Sequence, residues 1–272
     1  MSQVAEALKS LRSWKRLRDF LFEVTQSVKS LVKNGYYESE KSVSKKRRIL
    51  KEEAKKHALP IIAELKAKSP GYGELRSTDF RLANKLVQAG ACAISVLVEP
   101  VYFGGSLSLL REVAQNVDAP ILFKDFVISK KQLVTADRCG ADIVLLIAEV
   151  FERGLSCDSL EEMIESAHAL NLEVLLETHD PKNVALVNST KAEYIGINNR
   201  NLVDLSLDPD HFFKLSKQYK KQKFTVAESG YSDALRIKRD FEAGADCFLV
   251  GGSIMSAKDP IAKLKELIAH EG

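Results

Sequence analysis

The chain has 272 residues, 45% of them hydrophobic, and a formal net charge of +3, enough to bury a sizeable core as one large α/β domain or two smaller ones. No apolar run is long enough to cross a bilayer and no signal-peptide core opens the chain, so a soluble, cytoplasmic protein is expected. Cys92, Cys139, Cys157 and Cys247 lack CxxC spacing and the five histidines form no HExxH cluster, so the residues propose no metal.

The charge is unevenly placed. Residues 1–58 carry 15 Lys and Arg against 7 Asp and Glu, whereas the remainder is net acidic. From Val4 to about Val32, apolar residues such as Leu17, Leu21, Val24 and Val28 recur at helical spacing, which predicts an amphipathic helix. Lys45, Lys46, Arg47 and Arg48 form a second basic cluster before another helical stretch running to Lys56. Basic residues that alternate with apolar ones need a surface to bury against, so this region reads as helices packed on a larger domain rather than a nucleic-acid-binding arm.

After Ala58 the chain becomes rhythmic. Short aliphatic or β-branched runs recur at Pro60–Lys66, Ala93–Val98, Ile121–Lys124, Ile143–Ile147, Glu173–Glu177, Tyr194–Asn198, Phe224–Glu228 and Cys247–Val250. Helical patterns separate them, several closing on a glycine (Gly90, Gly140, Gly244) suited to a left-handed helix cap. Alternating strand and helix predicts parallel pairing, and eight units predict a single closed (β/α)8 TIM barrel over residues 59–272, with residues 1–58 as extra N-terminal helices. A doubly wound open sheet fits less well, because no GxGxxG follows the first strand.

In such a barrel the C-terminal strand ends converge on one mouth. They carry Glu64 and Lys66, Glu99, Lys124 and Asp125, Glu177, Asn198 and Arg200, Glu228 and Ser229, then Gly251, Gly252 and Ser253. Alternation along the first strand puts Glu64 and Lys66 on one face. Each residue alone reads equally well as part of a structural ion pair, but ionisable groups converging from at least four strands are expected of a catalytic site. Ser229 and Gly230 after the seventh strand, with Gly251, Gly252 and Ser253 after the eighth, stand where this fold often binds phosphate.

Several stretches together carry a resemblance: Ile62 to Pro70, Ser95 to Glu99 with Tyr102 to Ser106, Lys124-Asp125-Phe126, Leu175 to Asp180, Gly196 to Leu202, and Ala227 to Gly230. In this order they resemble the indole-3-glycerol-phosphate synthase family, over about Leu59 to the C-terminus. The resemblance implies conversion of 1-(2-carboxyphenylamino)-1-deoxyribulose 5-phosphate to indole-3-glycerol phosphate, carbon dioxide and water in tryptophan biosynthesis, without a cofactor. Asn201, Gly252 and Phe123 depart from the family's usual residues, and none of them replaces a matched catalytic position.

From the resemblance follow the expected roles. Lys124 is the general acid toward the ketone oxygen, and Glu177 and Lys66 divide the dehydration. Glu64 and Glu228 keep the lysines charged, Asn198 orients the substrate, and Ser229 belongs to the same catalytic set. Arg200 meets the anthranilate carboxylate, Phe103 and Phe126 sandwich its ring, and Ser69, Gly230, Gly251, Gly252 and Ser253 complete substrate binding, with Lys66 reaching the phosphate. The expected partner is a small phosphorylated molecule, with no nucleic acid and no membrane, and the chain is expected to be a monomer or weak homodimer. Another phosphate-binding barrel, such as phosphoribosylanthranilate isomerase, and a non-catalytic phosphate-ligand-binding protein are the alternatives.

Overall fold

The computed structural model of the chain describes residues 19–38, 42–70, 73–218 and 221–269. Eight parallel strands, β1 (Ile61–Leu65), β2 (Ala93–Leu97), β3 (Ile121–Lys124), β4 (Ile143–Ile147), β5 (Glu173–Thr178), β6 (Tyr194–Asn198), β7 (Phe224–Glu228) and β8 (Cys247–Val250), close into a barrel. Each pairs with its neighbours in sequence, and β8 returns to β1. This is the expected (β/α)8 barrel, with strand limits within a residue or so of the expected runs. The strands are buried almost throughout because helices cover their outer face and their inward side chains fill the interior. Gly90, Gly140 and Gly244 all take positive φ after their helices, as the cap reading requires.

Strand register decides what meets at the mouth. Asn198 lies level with Glu228, and Glu177 level with Gly196. Neighbouring strands therefore deliver their terminal polar side chains at nearly the same height.

The described part of the N-terminal region contacts both ends of the barrel. Helix Phe20–Lys33 buries Leu21, Val24 and Val28, and Phe20 sits at the mouth, 5.3 Å between ring centroids from Tyr102. The expected helical residues before Asp19 lie outside the described residues. The chain then runs down the barrel wall: the Tyr36 hydroxyl donates to the Val98 carbonyl (3.0 Å) and the Tyr37 hydroxyl to Asp125 (2.7 Å). At the bottom, the short helix Leu50–Ala54 buries Leu50 and Ala54. Its first turn is held by Leu50 N–H donating to Glu173 and Lys51 N–H to the Tyr194 hydroxyl.

Three of the basic residues are taken up by barrel carboxylates. Lys45 pairs with Asp142 at 2.6 Å, Arg47 with Asp137 and Arg48 with Asp118. Asp142 is buried, and it also accepts from the backbone N–H groups of Arg48 and Ile121. Among the described residues, no helix is long and apolar enough to cross a membrane.

The Lys45–Asp142 pair gives a stability prediction. In Lys45→Met the carboxylate stays buried and loses its charged donor while keeping two N–H partners. Unfolding in urea should show a loss of about 2 kcal/mol, with turnover of the folded protein unchanged because the pair lies at the opposite end from the mouth. An unchanged midpoint would mean that the two backbone donors alone satisfy Asp142.

Candidate active site

The mouth opens into a cavity with an apolar floor of Leu145, Ile147 and Leu249 and a polar rim drawn from six of the eight strand ends or the loops beyond them. Lys124 ends β3, and its ammonium stands 3.3 Å from Glu177 Oε2 and 3.4 Å from Glu228 Oε2. Burial pulls its pKa down, but the carboxylates of Glu177, Glu228 and Glu64 outweigh burial and the net shift is upward. Lys124 therefore keeps its charge among these carboxylates.

Glu228 is displaced in the unfavourable direction for a carboxylate. Burial, then the neighbouring Glu177, push its pKa well above the usual range, with Lys124 opposing them. Its Oε1 has no hydrogen-bond partner, and only a glycine at position 196 leaves room for that oxygen, since a Cβ there would overlap it. Two carboxylates and one ammonium thus meet in one buried group, in which Glu228 takes up a proton more readily than an isolated carboxylate does. Asn198 completes it: Nδ2 donates to Glu177 Oε1 at 2.7 Å, while Oδ1 accepts from the Arg200 N–H at 2.9 Å.

Glu64 and Lys66 project together from the end of β1, as alternation requires, and form an ion pair at 2.7 Å. Gly251 packs directly on this pair. A Cβ at that position would lie 2.9 Å from the Glu64 Cβ and overlap its carboxylate, so any side chain at 251 disturbs Glu64 before it meets a ligand.

The loops after β7 and β8 adjoin the rest of the mouth. Ser69, Ser229, Gly230, Gly251, Gly252 and Ser253 all line it, and Gly252 and Ser253 begin the helix Gly252–Ser256. Ser229 and Gly230 both adopt left-handed backbone, with φ of 68° and 79°. The Ser253 hydroxyl donates to the Tyr231 carbonyl at 2.7 Å, so its hydrogen is committed to joining the two loops and backbone N–H groups are left as donors.

Some expected residues serve elsewhere. Glu99 does not face the mouth: its carboxylate accepts from the N–H groups of Val101, Tyr102 and Phe103 and caps the turn that carries Phe103. The Asp125 carboxyl turns to Tyr37, Gln132 and its neighbour's N–H, and burial, opposed by those bonds, raises its pKa to about 7. Phe103 and Phe126 do not form two sides of a slot. Their centroids are 5.8 Å apart with a 31° tilt, and Phe20 packs edge-on to both, which makes one aromatic wall.

Two residues escape the reading of strand ends. Glu149, just beyond β4, accepts from the Thr178 hydroxyl and from the N–H groups of His179 and Asp180, pinning the turn after Glu177. The signal was an acid two residues past the end of the fourth run. The His179 Nδ1–H donates to the Asn198 carbonyl at 2.7 Å, and its ring stacks on His211 at 4.1 Å. Nothing in the linear pattern pairs those histidines.

A model of the indole-3-glycerol phosphate synthase family matches residues 17–267. The indole-3-glycerol phosphate synthase of Aliarcobacter butzleri is 41% identical over 220 residues, covering 79% of this chain and 82% of that protein. The protein of the same name from Staphylococcus saprophyticus is 33% identical over 246 residues, covering 88% and 93%. By fold alone, thiamine phosphate pyrophosphorylase from Pyrococcus furiosus is similar, with a TM-score of 0.57 at 17% identity over 80% of this chain and 96% of that one. A family match spanning nearly the whole barrel, with relatives this similar along most of their length, means that the chain belongs to the indole-3-glycerol phosphate synthase family.

Proposed function

We propose that the chain closes the indole ring of 1-(2-carboxyphenylamino)-1-deoxyribulose 5-phosphate, releasing carbon dioxide and water to leave indole-3-glycerol phosphate. Family membership supports the overall reaction, and the observation that carries the assignment of roles is the buried Lys124 ammonium held between Glu177 and Glu228. Lys124 donates its proton to the ketone oxygen as the aromatic carbon bearing the carboxylate attacks the carbonyl carbon. Loss of carbon dioxide returns the bonding pair to the ring and restores aromaticity. Dehydration then removes the new hydroxyl with one proton from an acid and gives one carbon-bound proton to a base; Lys66 and Glu177 stand for these two roles.

Substrate placement follows from the same cavity. The wall of Phe103 and Phe126 offers a face for the anthranilate ring, and Arg200, whose Nη1 already donates to the Leu205 carbonyl, has guanidinium donors left for the carboxylate. Glu64 holds Lys66, Asn198 holds Glu177, and the loops after β7 and β8 receive the phosphate through backbone N–H groups, with Ser69 and Ser229 on the same rim and Lys66 as a nearby charge.

Three outcomes test this assignment. Lys124→Ala should lose at least about a hundredfold in kcat, the scale of a general acid, in a product-fluorescence assay, while still binding a reduced substrate analogue; near-normal kcat would remove Lys124 from the chemistry. The acid limb of kcat/KM should lie above the ordinary carboxylate range, because burial and then the neighbouring Glu177 raise the pKa of Glu228. In Glu228→Gln the displaced carboxyl is gone and the limb should move to lower pH; a limb that stays in place sinks its assignment to Glu228.

The phosphate end needs a variant that spares Glu64, which excludes position 251. Gly252→Asp puts a carboxylate at the first position of a helix, where the helix itself tolerates it, and opposes a phosphate there. KM should rise and competitive inhibition by inorganic phosphate should vanish. Unchanged inhibition in the folded variant would put the phosphate elsewhere.

A further inference from the structure

Arg236 lies in the first turn of the helix Ala234–Glu242, outside the lining of the mouth. Its Nη1–H donates to the Gly230 carbonyl at 2.6 Å, and its guanidinium carbon stands 4.8 Å from the centre of the Tyr231 ring. The remaining guanidinium nitrogens, Nε and Nη2, are buried with no hydrogen-bond partner. An unpartnered buried donor costs free energy, so this charge is held behind the Ser229–Gly230 turn against a cost.

The turn explains what the charge does there. Both of its carbonyls are tied to the protein on the side away from the mouth: Ser229 O accepts from Asn199 Nδ2 at 3.0 Å, and Gly230 O from Arg236. Across a trans peptide the N–H points opposite to the C=O. Tethering those two carbonyls therefore turns the N–H groups of Gly230 and Tyr231 the other way, toward the mouth that both residues line. Consecutive N–H groups presented by such a turn form a concavity suited to an anion.

We infer that Arg236 is a positioning residue for phosphate recognition, acting through the Gly230–Tyr231 peptide rather than by touching the ligand. The inference rests on the phosphate assignment above. Its mechanism is a chain of two hydrogen bonds, guanidinium to carbonyl and amide to phosphate oxygen, in which each polarises the other. A guanidinium keeps its charge throughout the working pH range, so the amide is a stronger donor than an ordinary one at every pH. Tyr231 is braced for the purpose. Its hydroxyl donates to Asp240 at 2.8 Å, its ring meets Phe248 edge-on at 5.0 Å, and its carbonyl takes the Ser253 hydroxyl from the neighbouring loop.

The test compares Arg236→Met and Arg236→Lys with the parent for KM, kcat, inhibition by inorganic phosphate, and binding of indole-3-glycerol phosphate against its dephosphorylated form. In Arg236→Met, KM and the phosphate inhibition constant should both rise about tenfold, the scale of one charge-assisted hydrogen bond, with kcat nearly unchanged. Binding of the phosphorylated product should weaken while that of the dephosphorylated product does not, a distinction that a general loss of packing would not make. Arg236→Lys should recover part of the loss, because it restores the charge without the planar fork, and it carries the same comparison if the methionine variant does not fold. If phosphate inhibition is unchanged while thermal stability falls, Arg236 only holds the fold and the inference is wrong. If Gly252→Asp abolishes phosphate inhibition and both Arg236 variants retain it, the inference fails and the phosphate assignment stands; if all three retain it, the phosphate assignment itself fails.

Discussion

An ammonium group taken out of water survives only where opposite charge surrounds it, and the mouth of this barrel is built around one such group. Lys124 stands between Glu177 and Glu228, and the three are mutually dependent. Without Lys124 the two carboxylates repel each other in a buried space, and without the carboxylates Lys124 would give up its proton. The neighbourhood follows from holding this trio in place: Asn198 donates to Glu177, and glycine at position 196 makes room for Glu228. Chemistry that needs an acid and a base side by side can be run by such a group, because environment pushes the members' proton affinities apart.

Around the trio, acids at strand ends divide into two kinds. Glu64, Glu177 and Glu228 face the cavity, whereas Glu99 and Glu149 spend their oxygens on backbone N–H groups of the loops beside it. The second kind shapes the site without entering it, since Glu99 fixes the turn bearing Phe103 and Glu149 fixes the turn after Glu177. Asp125 is a third case, buried between the barrel and Tyr37 of the N-terminal region. Through that bond and the Phe20 contacts, the segment preceding the barrel touches the residues that flank Lys124.

The same segment ties the bottom of the barrel through Lys45, Arg47 and Arg48. Its positive charge is matched to acids near the N-terminal ends of strands, so the uneven charge along the chain becomes local pairing in the fold. The barrel thus has its polar cavity at one end and these pairings with the N-terminal segment at the other.

Sequence alone determined the barrel, because strand and helix alternate with strong periodicity and helix-ending glycines punctuate them at Gly90, Gly140 and Gly244. It also determined that Glu64 and Lys66 share a face, since alternation along a strand is a local rule. What each strand-end residue faces was decided only by tertiary structure. Glu99 and Glu177 both end an apolar run, yet one caps the following turn and the other meets Lys124, a difference set by loop geometry and by neighbours far away in the chain. The closeness of Gly196 to Glu228, of Gly251 to Glu64 and of Arg236 to Gly230 likewise depends on strand register and on how a loop returns to its helix. No pattern along the chain encodes those approaches, because each is a distance set by strand register or by the path of a loop onto its helix.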